Sequence, residues 1–108
     1  MYKQVFGAKR KPGMSREDFE RYWTTTHADL ARKVPGIRRY VINIAARIGD
    51  AEREMAYDGF AEAWFDDLES MRASGRSAEL RAVRDDEKNL FDLPTAFAVI
   101  VQEHVMIG

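Results

Sequence analysis

Two Pro-Gly pairs, Pro12-Gly13 and Pro35-Gly36, bracket a stretch whose apolar residues recur at helical spacing. Proline disfavours helix in the residue before it and glycine permits a turn, so each pair punctuates the chain. Ser15 can accept a hydrogen bond from a first-turn amide, and acidic Glu17 and Asp18 suit the positive end of a helix. With Asp18 three residues after Ser15, the start resembles a capping box with Asp in place of the usual Glu. Phe19, Tyr22, Trp23, Thr26-His27, Leu30 and Val34 then step by three and four, which predicts an amphipathic helix. Arg16, Glu17, Glu20, Arg21, Arg32 and Lys33 fall on the other faces, and the helix is expected to stop near Lys33 or Val34.

Runs of a different period flank this helix. Residues 2–10 enclose Val5 and Phe6 and read as a first strand. Residues 37–48, rich in Ile, Val and Tyr, read as a second, and the polar segment 49–54 as a loop or hairpin tip. Residues 57–65 read as a third strand with unlike faces. Asp58, Phe60, Glu62 and Trp64 point one way; Gly59, Ala61, Ala63 and Phe65 point the other. Residues 68–89 read as helical with an interruption at Gly75, Asp66 or Asp67 capping the first piece and Ser77 the second. Leu93-Pro94 is expected to end that region, and residues 97–106 form the last and most apolar strand.

The order β-α-β-β-α-β predicts an α+β, ferredoxin-like fold: a four-stranded antiparallel sheet with two helical segments on one face. The length of 108 residues fits a single domain, 1–108. Helices on one face leave the other uncovered, and Phe60, Trp64 and the strand 97–101 are too apolar for that face to meet water. A homodimer packed sheet face to sheet face is therefore expected.

Seventeen basic against eighteen acidic residues leave a net charge of −1, without the basic excess of a nucleic-acid binder. The short cluster Lys9-Arg10-Lys11 reads as a solvated strand end, or as a device steering an anionic substrate. There is no cysteine, so disulfides, thiolate zinc sites and cysteine nucleophiles are excluded. No apolar run approaches the roughly 20 residues of a membrane helix, and none follows Met1-Tyr2-Lys3-Gln4 as a signal peptide would. The expectation is a soluble, cytoplasmic protein with no nucleic-acid or membrane partner. No internal repeat, glycine-rich phosphate loop or Gly-x-Ser-x-Gly elbow is present.

Two histidines are available for chemistry. His27 lies one helical turn after Trp23 and should face the sheet. It is either a core histidine bonded to a backbone carbonyl, or an acid or base on an apolar wall. Gly59, Ala61 and Ala63 oppose the bulky helix face, so either the helix packs close there or a cavity opens. A cavity lined by His27 and aromatic side chains would suit a small, mostly apolar ligand. Asp58 and Glu62 could pair for acid–base work, but their apolar neighbours Phe60 and Trp64 favour a polar interfacial role. His104, near the end of the last strand, reads as a surface or interface residue. Two histidines without a nearby carboxylate cluster make a poor metal set, and no zinc or non-haem iron site is expected.

The stretch "KRKPGMSREDFERYWTTTHADLARKVPGIRRYVIN" (residues 9–43) resembles the opening motif of the EthD-type family of dimeric α+β barrel proteins. The matching elements are Arg10-Lys11-Pro12-Gly13, Ser15, Phe19, Trp23, His27, Pro35-Gly36 and Tyr40. "YDGFAEAWFDD" (57–67) resembles the family's third-strand motif and "VQEHVMI" (101–107) its closing strand. The resemblance implies a dimer and a pocket between sheet and helices, with His27 at its wall. Members of the family the chain resembles that have assigned chemistry include methylmuconolactone isomerases, which move protons without metal or cofactor. By that similarity His27 and Tyr40 are the catalytic candidates, with Trp23, Ala63 and Phe65 as ligand contacts. The position near Ala63 is a cysteine in those isomerases, and alanine cannot transfer a proton. The resemblance thus implies a cofactor-independent isomerase, lyase or cyclase acting on a small aromatic, lactone or polyketide-like metabolite. Two alternatives stand beside it: a non-catalytic metabolite-binding accessory protein for a degradative oxygenase, and a quinol-type monooxygenase or haem-binding protein.

Overall fold

A computed structural model describes residues 1–49 and 55–108. The chain runs β1 (Tyr2–Arg10), α1 (Arg16–Tyr22), a π-helical turn (Trp23–His27), α2 (Ala28–Ala31), β2 (Arg39–Ile44) and β3 (Gly59–Phe65). It continues through α3 (Leu68–Gly75), α4 (Ala78–Asp86), a 3₁₀ turn (Glu87–Asn89) and β4 (Phe91–Gln102). All strand pairs are antiparallel, in the order β2-β3-β1-β4. This is the ferredoxin-like arrangement the element order predicts. The expected hairpin tip lies, from residue 50 to 54, outside the described residues.

The helix starts follow from the residues that begin them. The Ser15 hydroxyl accepts from the Asp18 amide at 3.1 Å. Asp67 takes the Ser70 amide at 2.7 Å, and Ser77 the Leu80 amide at 3.1 Å. Each satisfies an amide that the first helical turn leaves without a partner.

Strand boundaries differ from the sequence reading. β2 is shorter than 37–48, and β3 begins at Gly59 rather than at residue 57. β4 starts at Phe91 and ends at Gln102, so Leu93-Pro94 lies within the strand instead of before it, and 103–106 lie beyond it. Proline is tolerated because β4 is an edge strand, where a missing N–H leaves no ladder bond unmade on the open side. The β1–β4 register also shifts between Gly7 and Lys9, and the Thr95 hydroxyl accepts the Lys9 amide at 2.9 Å across the irregularity.

The core lies between the sheet and the first helical segment. Phe19, Trp23 and Phe91 meet edge to face, with Trp23 and Phe91 ring centroids 4.8 Å apart at 85°. Gly59 makes this packing possible. A Cβ there would stand 2.5 Å from the Trp23 ring and 2.9 Å from the Asn43 carbonyl oxygen, so only glycine fits beneath the indole.

The opposite face carries Val5, Phe60, Glu62, Trp64, Phe97 and Val99, placed there by the strand register. Tyr57, Phe60 and Phe97 form an aromatic cluster, and Val99 is 45% exposed. Among the described residues, no helix is long and apolar enough to cross a membrane.

Candidate functional site

The site grows out of the π-helical turn. Its sequence, Trp-Thr-Thr-Thr-His, is a run of β-branched threonines, which hold α-helix less readily than straight-chain residues. The Thr24 hydroxyl donates to the Glu20 carbonyl at 2.7 Å and the Thr25 hydroxyl to the Arg21 carbonyl at 2.5 Å. Such hydroxyl-to-carbonyl bonds one turn back compete with the α-helical ladder. Thr24, Thr25 and Thr26 face solvent, while Trp23 and His27 at the two ends of the turn are both buried.

His27 is 3% exposed and its Nδ1 lies 2.8 Å from Asp86 Oδ2. Asp86 is the last residue of α4, and α4 packs against α2. Burial works against the Asp86 charge, but hydrogen bonds from Tyr22 (2.6 Å), Asn89 (2.8 Å) and His27 overrule it and hold the carboxyl below its usual range. An ionised carboxylate can only accept, so the proton of this bond sits on Nδ1. Whenever the ring is neutral, Nε2 is the nitrogen without a proton, and among the described residues no hydrogen bond engages it. The Phe91 ring meets the imidazole edge to face at 5.8 Å.

Beside His27 a cavity of about 350 Å³ opens between the inner sheet face and the helices. Ala61 and Ala63 form part of its floor, Phe65 and Val34 part of its apolar wall, and α3 and α4 contribute Met71 and Leu80. Its size falls in the range of pockets that hold small organic ligands. Polar groups reach it from several elements: His27, Tyr40, Glu87, Gln4 and Ser74. The small residues of β3 therefore serve two ends. At Gly59 the helix packs close, and at Ala61 and Ala63 the space stays open.

Tyr40 stands on β2 with its oxygen accepting from Trp23 Nε1–H at 3.3 Å. Burial raises its pKa; the Trp23 bond opposes this, and the nearby Glu87 charge adds to it. The phenol thus keeps its proton at neutral pH, and its O–H is not used by Trp23. Glu87, the first residue of the 3₁₀ turn, is half-buried at the cavity wall. Burial pushes its carboxyl above the usual range, against the pull of Arg84.

The sequence candidates divide accordingly. His27, Tyr40, Trp23, Ala63 and Phe65 all line the one cavity. Asp58 does not: it is 4% exposed and holds the Arg10 amide at 2.8 Å and guanidinium at 2.9 Å, away from Glu62. Glu62 lies on the outer face, taking Lys3 at 2.9 Å and Asn43 at 3.0 Å, and the Lys3 bond in particular lowers its pKa. Trp64 lies under Lys3 and Arg39 on that face and donates to Glu103 at 3.2 Å. His104 is exposed, beyond the end of β4. Among the described residues no group of three or more His, Asp or Glu side chains is placed to hold a metal ion.

Sequence reasoning missed Asp86, Tyr22, Asn89 and Glu87. The run Arg84-Asp85-Asp86-Glu87-Lys88-Asn89 has the composition of a solvated helix end. The one usable signal was topological: the end of the second helical segment must return past the first, and its side chains there meet an interior histidine.

Comparison with known proteins agrees with this architecture. No curated protein matches the chain. An EthD family protein of Bacillus halodurans superposes with a TM-score of 0.75 at 25% identity, covering 96% of this chain and 100% of its own. A protein of Arabidopsis thaliana gives 0.74 at 15% identity over 99% of both chains. A dimeric ferredoxin-like protein of Thermobifida fusca gives 0.70 at 16% identity, over 93% of this chain and 88% of its own. The family model of the EthD domain matches residues 11–94, and the chain belongs to the EthD family.

Proposed function

We propose that the cavity binds a small, mostly apolar carbonyl compound, aromatic, lactone or polyketide-like, and that His27 acts on it as a general base. The observation that carries this reading is the His27–Asp86 pair at the cavity wall. The carboxylate fixes the tautomer in which Nε2 can accept a proton, and it stabilises the imidazolium that results. Tyr40 O–H supplies a hydrogen bond to the oxyanion that develops as a proton leaves the carbon beside a carbonyl. Return of the proton to another carbon is an isomerisation; elimination or ring closure from the same enolate makes a lyase or a cyclase. No cofactor enters any of these steps.

The test uses 2-tetralone, an aromatic ketone with an acidic C–H, in deuterated water. Uptake of deuterium at its α-carbon, followed by proton NMR, is expected with the wild type, and His27→Ala should lower the rate about 10²–10⁴-fold. Full exchange in His27→Ala would sink the mechanism. The binding-protein alternative draws on Ala63, which brings no proton-bearing group to the floor. In that case His27→Ala changes affinity for 2-tetralone and no exchange occurs. Oxygen consumption with a quinol in place of exchange would favour the monooxygenase reading.

We further propose that two copies pair through the outer sheet face. Its aromatic cluster and the exposed Val99 support this, as does the dimeric state named for the Thermobifida fusca relative. Sedimentation should give a dimer, and Val99→Lys a folded monomer. A wild-type monomer at all concentrations overturns the pairing.

A further inference from the structure

The proposed reaction removes a proton from carbon with His27 and leaves the oxygen to Tyr40. A phenol whose pKa is raised can donate a hydrogen bond but cannot give up its proton at neutral pH. One carboxyl also lines the same cavity, that of Glu87. Glu87 follows directly after Asp86, so the 3₁₀ turn sends two neighbouring carboxyls to different tasks. Asp86 binds His27, Tyr22 and Asn89. Among the described residues no hydrogen bond or ion pair engages the Glu87 side chain. The other titratable groups lining the cavity are Arg84 on α4, Arg72 on α3, His27 on the π turn and Tyr40 on β2. Arg84 favours its charge, but burial outweighs Arg84 and favours the protonated form.

We infer that Glu87 is the general acid of this cavity, giving its carboxyl proton to the carbonyl oxygen of the ligand while His27 takes one from the adjacent carbon. The inference rests on the acid–base reading of the site. The step balances without a co-reactant. The C–H electron pair becomes the enol C=C bond, the carbonyl π pair takes the Glu87 proton, and the cavity is left with imidazolium and carboxylate. The reverse transfers, with the imidazolium proton delivered to a different carbon, give the isomer and restore both groups. The ligand class is thereby narrowed to carbonyl compounds that enolise. The neighbouring carboxyls differ because one is paired and the other is not.

The experiment measures 2-tetralone deuterium exchange against pH with the wild type, His27→Ala, Glu87→Gln and Glu87→Asp. Glu87→Gln should lower kcat tenfold or more with KM changed less than twofold, and should remove the fall in rate on the alkaline side of the profile. Glu87→Asp should keep that fall and recover part of the rate. Loss of exchange in His27→Ala with full rate and an unchanged alkaline limb in Glu87→Gln overturns this inference alone. Exchange that survives in His27→Ala, or is absent from the wild type, overturns the site reading and this inference together. Circular dichroism checks folding. Should Glu87→Gln unfold, Glu87→Asp decides: a lowered rate with a displaced alkaline limb supports the acid role, and a wild-type profile overturns it.

Discussion

Two ends of one strand face, both built of small residues, do opposite things. At Gly59 the strand gives up its side chain, and the Trp23 indole settles on the bare backbone. Two and four residues on, Ala61 and Ala63 leave room that the helices do not fill, and a cavity remains. Small side chains on a strand therefore do not in themselves mark a pocket. What decides is the element above them: here a tryptophan fixed by Phe19 and Phe91 at one end, and the wider roof of α3 and α4 at the other.

The sharpest way to break this comparison is to add volume at each end. Gly59→Ala puts a methyl group against an indole and a backbone carbonyl, neither of which can yield easily. A loss of about 3 kcal/mol in chemical denaturation is expected, at the upper end for overpacking. Ala63→Leu fills open space, so stability should hold or rise by about 0.5–2 kcal/mol. The same variant should lose 2-tetralone exchange, because the ligand's place is taken. If Ala63→Leu cost as much stability as Gly59→Ala, the two ends would be packed alike and the cavity would not be a ligand site.

A smaller effect separates the ends by pH. The Asp86 carboxyl is held below its usual range in the folded chain. A depressed carboxyl contributes stability above its unfolded value of about 3.9, and that contribution is lost as pH falls through its folded value. The urea midpoint of the wild type should therefore exceed that of Asp86→Asn at pH 7, with the gap closing as acid is added through this range. Gly59→Ala, which carries no titrating group, should keep a constant gap. An Asp86→Asn gap independent of pH would remove Asp86 as an ionised partner of His27.

Much of this was legible in the residues. The Pro-Gly pairs and the three–four spacing from Phe19 to Leu30 located the first helix and turned His27 inward. Alternation separated the faces of β3 from Gly59 on, though not at Asp58, which bonds Arg10 instead of sharing a face with Glu62, and the apolar strands implied the sheet. Asp86 was not legible, because it sits 59 residues from His27 and its own segment reads as a charged helix end. The π turn was equally hidden, since a run of threonines weakens an α-helix without saying which hydrogen-bond pattern replaces it. Pro94 misled the reading of β4 because a proline usually ends regular structure, and the exception depends on the strand being at an edge.

The widened turn has a consequence for how this site can change. A helix that accommodates an extra residue is altered by length rather than by chemistry. Deleting one threonine of the run would let the helix close to ordinary α geometry, and because the widened turn is what absorbs the extra residue, the residues on either side would keep their facing. Trp23 would keep its seat on Gly59 and His27 would stay on the cavity side, three residues away instead of four. Point substitutions at solvent-facing Thr24, Thr25 and Thr26 would leave that alignment standing. Among relatives, a one-residue gap at this position would then be compatible with both the fold and the histidine's aim.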